Sequence, residues 1–255
     1  MGILSSLFKK KKPQQELPLA DISNFVKCDM HSHLLPGIDD GSESMQQSIQ
    51  MIKGLKELGY TNLLCTPHVM HDFYRNSSET IISGLDQLKE ELNKNDIDVN
   101  INAAAEYYFD EELTKRVANK DILTFGKEQY LLFEFSYFNE HQGVFEGITD
   151  MIQAGYSPVL AHPERYPYFV MDLEKYDQLK AMGLKFQINL LSLTGHYGES
   201  AVHGSNYLID KGFVDFIGTD IHRESHLPKL EKALKTERLH QLIDSKILLN
   251  HQLAE

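Results

Sequence analysis

The stretch DMHSHLLPGIDDG, Asp29–Gly41, sets two histidines and three carboxylates in thirteen residues, directly after a short apolar run. Imidazoles and carboxylates at this density are the donors of a divalent-cation site. An apolar run leading into such a loop reads as a β-strand delivering ligands from its C-terminal end.

Outward from this stretch, apolar and β-branched runs alternate with helical periodicity, the pattern of βα units around a parallel sheet. Seven strands are predicted: FVKCDM (25–30), TNLLCT (61–66), VNINAAA (99–105), QYLLFEFS (129–136), SPVLA (157–161), KFQINL (185–190) and VDFIGT (214–219). Between the first two, Met45, Ile49, Ile52, Leu55 and Leu58 recur at helical steps behind an expected Ser42 cap, and Gly59 ends the helix. Ile81, Ile82, Leu85, Leu88 and Leu92 repeat the arrangement after NSSE. No GxGxxG or GxxxxGK[ST] loop follows the first strand, which argues against a nucleotide-binding open sheet. A closed barrel fits better, and seven units rather than eight imply a distorted (β/α)7 barrel.

The chain's 255 residues suit one large domain, expected over 21–255 behind a flexible basic arm at 1–20. In the arm, Ile3, Leu4, Leu7 and Phe8 precede Lys9 to Lys12. This is too short for a secretory signal, but its lysines suit peripheral contact with an anionic membrane. Lys+Arg 25 against Asp+Glu 37 leaves −12, which opposes nucleic acid as a partner. Cys28 and Cys65 sit in apolar runs as small core residues and build no disulfide framework, in keeping with a reducing cytoplasm.

Parallel barrels carry their chemistry at the C-terminal ends of the strands. Those ends present His31 and His33 with Asp39 and Asp40, then His68, Glu106, Glu134, His162, and finally Asp220 with His222. Six of the seven strands contribute. Without thiolates this set favours Mn²⁺, Fe²⁺ or Zn²⁺, and it exceeds the demand of one ion, so two or three are expected.

DMHSHLLPGIDDGS, CTPH, FEFS, AHPERY and the final DIH resemble the polymerase and histidinol phosphatase (PHP) superfamily over roughly residues 27–250. Within it, they look like the bacterial metal-dependent protein-tyrosine phosphatases encoded with capsular polysaccharide genes. The resemblance implies three divalent ions, with manganese expected. It puts His31, His33 and Asp220 on one ion, with Glu106 bridging to a second ion held also by Glu134 and His162, and Asp40, His68 and His222 on the third. Asp39 matches no ligand and is expected in a turn or behind the ligands. Arg165 matches a phosphate-holding, catalytic arginine. The family's second arginine, several residues beyond the last histidine, is missing from DIHRESHLP; Arg223 and Arg75 are the candidates to replace it. Tyr108 is expected against the substrate ring, with Tyr107 and Phe109 beside it.

Four acidic ligands against three divalent ions give −4 + 6, and about +1 remains after a hydroxide forms, so the site attracts phosphate despite the acidic chain. The implied activity is hydrolysis of phosphotyrosine, a phosphoric monoester, by a metal-bound hydroxide. The implied substrate is the C-terminal tail of a membrane-bound bacterial tyrosine kinase controlling polysaccharide export. A cysteine-nucleophile route is excluded, because it needs arginine six positions after the cysteine and the chain has Leu34 and His71 there. The alternatives are a small-molecule phosphatase acting on, for example, histidinol phosphate, a polymerase-associated exonuclease, and a non-catalytic barrel that binds a kinase tail.

Overall fold

The computed structural model describes residues 17–254. Most of the predicted arm, residues 1–16, lies outside them. Residues 17–20 run along the body: the Ala20 N–H donates to the Leu234 carbonyl at 2.9 Å, and His240 Nε2 donates to the Pro18 carbonyl at 3.0 Å.

The strands are β1 (Cys28–Ser32), β2 (Asn62–Cys65), β3 (His68–Val69), β4 (Asn100–Ala103), β5 (Glu106–Tyr108), β6 (Tyr130–Glu134), β7 (Ser157–Ala161), β8 (Lys185–Asn189) and β9 (Phe216–Gly218). All pair in parallel, in the orders β1-β2-β4 and β3-β5-β6-β7-β8-β9. The second and third predicted strands correspond to β2 and β4, and each is followed, just beyond its predicted end, by a further short strand, β3 and β5. Pro67 follows Thr66 between β2 and β3 and has no N–H for a ladder, although its carbonyl accepts from the Glu106 N–H at 3.0 Å. Past this break the chain leaves the first sheet and joins the second. The two bent strands thus link the sheets, and the order around the distorted barrel follows the seven predicted strands.

The first and last strands meet through a parallel bridge, Ser32 to Ile221. The Asp220 N–H donates to the His31 carbonyl at 2.8 Å, and the His33 N–H to the Ile221 carbonyl at 3.0 Å. Buried Asp29 reinforces the seam by accepting from the Thr219 N–H and hydroxyl at 2.9 and 2.5 Å. Burial pushes its carboxyl up to about 6, against the lowering effect of those Thr219 bonds.

Inward side chains change character with height. Met30, Leu64, Ala104, Phe125, Tyr130, Leu132, Val159, Ala161 and Phe216 fill the barrel, while a second, larger apolar layer lies between strands and helices. Asn250, on the C-terminal 3-10 turn Asn250–Ala254, anchors the floor by donating to the Cys28 and Ile217 carbonyls. Alternation along β6 carries the inner face from Tyr130 through Leu132 to Glu134. β1 breaks this alternation: its register shifts between Asp29 and Ser32, so Met30 joins the inner cluster while neighbouring His31 still reaches the mouth.

Two helix expectations need correction. The helix Met45–Glu57 is capped by Ser44, whose hydroxyl accepts from the Gln47 N–H; Ser42 instead donates to the Ser44 carbonyl. The helix Ser78–Lys94 buries Ile81, Leu85, Leu88 and Leu92, but Ile82 is 41% exposed, because adjacent positions lie about 100° apart on a helix. Among the described residues no helix is long and apolar enough to cross a membrane.

Candidate metal centre and phosphate pocket

All nine predicted ligands converge at the mouth. Their donor atoms fall into four overlapping groups, each within 4.8 Å: His33, Asp40, His68 and His222; His31, His33 and Asp220; His31, Glu106 and His162; and His68, Glu106 and Glu134. Glu106 belongs to two groups, which suits a bridging carboxylate. Glu134 and His162 fall in separate groups, with His162 Nε2 3.8 Å from Glu134 Oε2.

The backbone is shaped to this end. His162 and Asp220, which carry their side chains into the cluster, have φ of 36° and 50°, a region that costs non-glycine residues energy. Gly218 sits where an added Cβ would be 2.7 Å from the His31 Cβ and 2.9 Å from Gln187 Nε2. Only hydrogen fits there, since β9 must pass that close to bring Asp220 beside His31. Gly41 is equally confined, 2.4 Å from the His33 Cβ and carbonyl.

The imidazoles are oriented from behind. His31 Nδ1 donates to Gln187 Oε1 and His33 Nδ1 to Asp39 Oδ2, each at 2.8 Å; His222 Nδ1 donates to the Asp220 carbonyl at 2.9 Å. Each bond leaves an Nε2 lone pair for the cluster. The Nε2 atoms of His31 and His33 are then 3.2 Å apart, and both lie 3.2–3.5 Å from Glu106 Oε2 and Asp220 Oδ1. Buried His68 Nδ1 and Glu106 Oε2 approach to 3.2 Å, yet neither has a hydrogen-bond partner. Converging lone pairs in a dry site repel one another unless a cation lies among them, so the residues fit divalent metal.

Electrostatics point the same way. Burial raises both Glu106 and Glu134, but His31, His68 and His162 around Glu106 bring it well below the carboxylate range. Glu134, beside that negative charge, stays well above it. Against burial, His31, His222, His33 and Arg165 hold Asp220 well below its ordinary value.

Sequence reasoning missed the polar residues that support the ligands. β8 is the one predicted strand without a ligand, yet Gln187 holds His31, and Asn189 Nδ2 donates to Asp220 Oδ2 at 2.7 Å while Asn189 Oδ1 accepts from Gln187 Nε2 at 2.8 Å. Two amides on the inner face of a central strand were the available signal. Asp39, expected behind the ligands, also accepts from the His68 N–H at 3.1 Å and so spans two of them.

Arg165 borders the centre in a cavity of ≈ 350 Å³ that also exposes His196, Tyr197, Arg223 and His226. Its guanidinium donates to Asp220 Oδ2 at 2.9 Å and lies between two aromatic faces, 4.7 Å from the Tyr137 centroid and 4.1 Å from that of Tyr197. Arg223 is exposed on the same cavity. Arg75 and Tyr108 are not on it: they line a neighbouring groove, which shares Met70 and Tyr74 with the cavity. The Arg75 Nε donates to the His71 carbonyl at 2.7 Å. The expected trio around a substrate ring also separates, because Phe109 packs on Phe133 and Phe135 and the buried Tyr107 hydroxyl accepts from the Leu123 N–H.

A parallel α/β barrel with metal-binding clusters at the C-terminal ends of its strands defines a metal-site protein of the PHP-like class. Residues 27–249 match the model of the capsular polysaccharide synthesis CpsB/CapC family, and the chain belongs to that family. It is 28% identical to the tyrosine-protein phosphatase YwqE of Bacillus subtilis, over 88% of this chain and 92% of that protein. Crystal structures described as YwqE from Bacillus subtilis and CpsB from Streptococcus pneumoniae, unique metal-dependent tyrosine phosphatases, include a match with TM-score 0.75 and 27% identity, covering 86% of this chain and 92% of the other. A histidinol phosphate phosphatase from Lactococcus lactis shares the fold, with TM-score 0.55 and 16% identity over 87% and 94% of the two chains.

Proposed function

We propose that the chain is a metal-dependent protein-tyrosine phosphatase acting through three divalent ions, with manganese as the native metal and iron or zinc as substitutes. The carrying observation is the nine-donor cluster with its imidazole lone pairs turned inward beside an arginine-lined cavity, in a chain of the CpsB/CapC family. Bound divalent ions supply a water acidified towards a pKa of ~7 and neutralise phosphoryl oxygens. His31, His33 and Asp220 would hold one ion, Glu106, Glu134 and His162 a second, and Asp40, His68 and His222 a third.

The remaining work falls to the protein. Asp39, Gln187 and the Asp220 carbonyl keep the imidazoles in the ligating tautomer. Arg165, held between the faces of Tyr137 and Tyr197, grips two phosphate oxygens with the planar fork that suits them. Arg223 is the nearest candidate for a second cationic contact. Tyrosine leaves as a phenolate whose conjugate acid has a pKa of ~10, so departure needs little protonation. The buried thiols take no part: burial pushes both Cys28 and Cys65 far up, away from the reactive thiolate.

The substrate in this reading is the phosphorylated C-terminal tail of a membrane-bound tyrosine kinase, met in the cytoplasm, with the Lys9–Lys12 arm keeping the enzyme near anionic lipid. A substrate panel tests it. Manganese-loaded protein should hydrolyse a phosphotyrosine peptide and lose that activity on chelation, while phosphoserine peptide and histidinol phosphate stay poor. A roughly hundredfold kcat/KM preference for histidinol phosphate, about 2.7 kcal/mol at the transition state, would reassign the enzyme to small-molecule hydrolysis.

A further inference from the structure

Among the described residues, the three most exposed large apolar side chains are Phe138 at 90%, Met171 at 82% and Phe73 at 76%. Scattered single exposures are normal on a protein surface. All three lie in connections from the C-terminal end of a strand to the next long helix: Phe138 after β6, Phe73 after β3, and Met171 after β7, at the end of the short helix Pro167–Val170. They therefore share the end of the barrel that carries the metal centre. In the second sheet the order is β3-β5-β6-β7, so the loops are consecutive around the rim, and half-exposed Tyr108 at the end of β5 occupies the interval.

Two of the three are sequence neighbours of residues that line the cavity. Phe73 precedes Tyr74, which lines the cavity and stacks on His68 with centroids 5.6 Å apart. Phe138 follows Tyr137, one face of the Arg165 sandwich. The loops are also braced. Met70 and Tyr74 exchange two backbone hydrogen bonds of 2.9 Å beneath Phe73, and the Tyr168 hydroxyl ties the β7 loop to the Ser136 carbonyl at 2.8 Å. Glu140 in the β6 loop also pairs with Lys175 on the helix Glu174–Ala181 that follows.

We propose that Phe73, Phe138 and Met171 form a docking rim for the extended chain that flanks the phosphotyrosine of a protein substrate. The proposal deepens the phosphatase reading and rests on it. Three strand spacings span about 14 Å at ~4.8 Å each, the length of about four extended residues at ~3.3 Å. Apolar or aromatic residues in those positions bury against the rim while the phosphorylated side chain enters the cavity. A small phosphate ester reaches only the cavity and gains nothing from the rim.

The test compares the wild type with the triple variant F73S/F138S/M171S, all at exposed sites. Two substrates are used, p-nitrophenyl phosphate and a twelve-residue phosphotyrosine peptide with aromatic and aliphatic flanks. A phosphonate analogue of the peptide, which cannot be hydrolysed, is followed by fluorescence anisotropy. The variant should keep kcat/KM for p-nitrophenyl phosphate within twofold, lose at least tenfold for the peptide, mainly in KM, and bind the analogue at least tenfold more weakly. Equal effects on both substrates, or none on the peptide, overturn the rim. If the wild type hydrolyses neither substrate the phosphatase reading falls, and anisotropy still decides the rim. A wild-type dimer that the triple variant converts to monomer in sedimentation assigns the patch to self-association and also overturns it.

Discussion

Asp39 shows how much a single side chain settles at the residue scale. One of its oxygens faces both His33 Nδ1 and the His68 N–H, while the other accepts from the Gly41 N–H at 2.9 Å. It thus ties the first ligand loop to the second without needing to touch metal. Asp39→Ala should lower metal affinity about 10–100-fold, the range for losing such an outer partner, with the fold intact by circular dichroism. Titration against a fluorescent chelator measures this, and unchanged affinity would refute the orienting role. Arg165 makes a different demand. Arg165→Lys should lose nearly as much kcat/KM as Arg165→Ala at normal metal content, because an ammonium lacks the planar fork and the flat faces that stack on Tyr137 and Tyr197. Wild-type kinetics for the lysine variant would reduce Arg165 to a general positive charge.

At the element scale, strand contacts decide where donors stand. β9 is short because the chain turns at Thr219–Asp220 to meet β1, and Gly218 permits the approach. Gly218→Ala forces a methyl group into contact with His31 and Gln187, and overpacking of this kind costs about 1–3 kcal/mol. The expected outcome is a folded protein with reduced metal content by elemental analysis. Full metal loading in that variant would mean the seam has slack that the geometry does not show. The bends between β2 and β3 and between β4 and β5 have a related effect, because past them His68 and Glu106 pair in register. Straight continuations of β2 and β4 would leave both donors in the first sheet.

Across the whole molecule, the cluster opposes folding until it is neutralised. Buried carboxylates and lone pairs at 3.2–3.5 Å are costly in a metal-free barrel, so anything bound there stabilises the native state by mass action. Exhaustive chelation should lower Tm by several degrees and abolish phosphatase activity, and manganese should restore both. Scanning calorimetry with parallel assays follows the two together. Undiminished turnover in metal-free protein would contradict the metal-dependent mechanism.

What the sequence determined by itself was local in origin. Strand and helix order follow from the hydrophobic period, and candidate ligands from donor residues at predicted strand ends, so His31, His33, Asp40, His68, Glu106, Glu134, His162, Asp220 and His222 were legible as candidates from the sequence, and their donor atoms do converge. Ile82 and the Ser42 cap were misread because a periodic stripe leaves its edges and its first turn open by a residue or two. The tertiary structure alone decided the bent strands, the β1 irregularity, the grip of Gln187 and Asn189, the separation of Tyr108 and Arg75 from the cavity, and the exposure of Phe73, Phe138 and Met171. Each of these depends on which strands become neighbours. Neighbours distant in sequence meet only when the barrel assembles, and no local pattern of residues records that meeting.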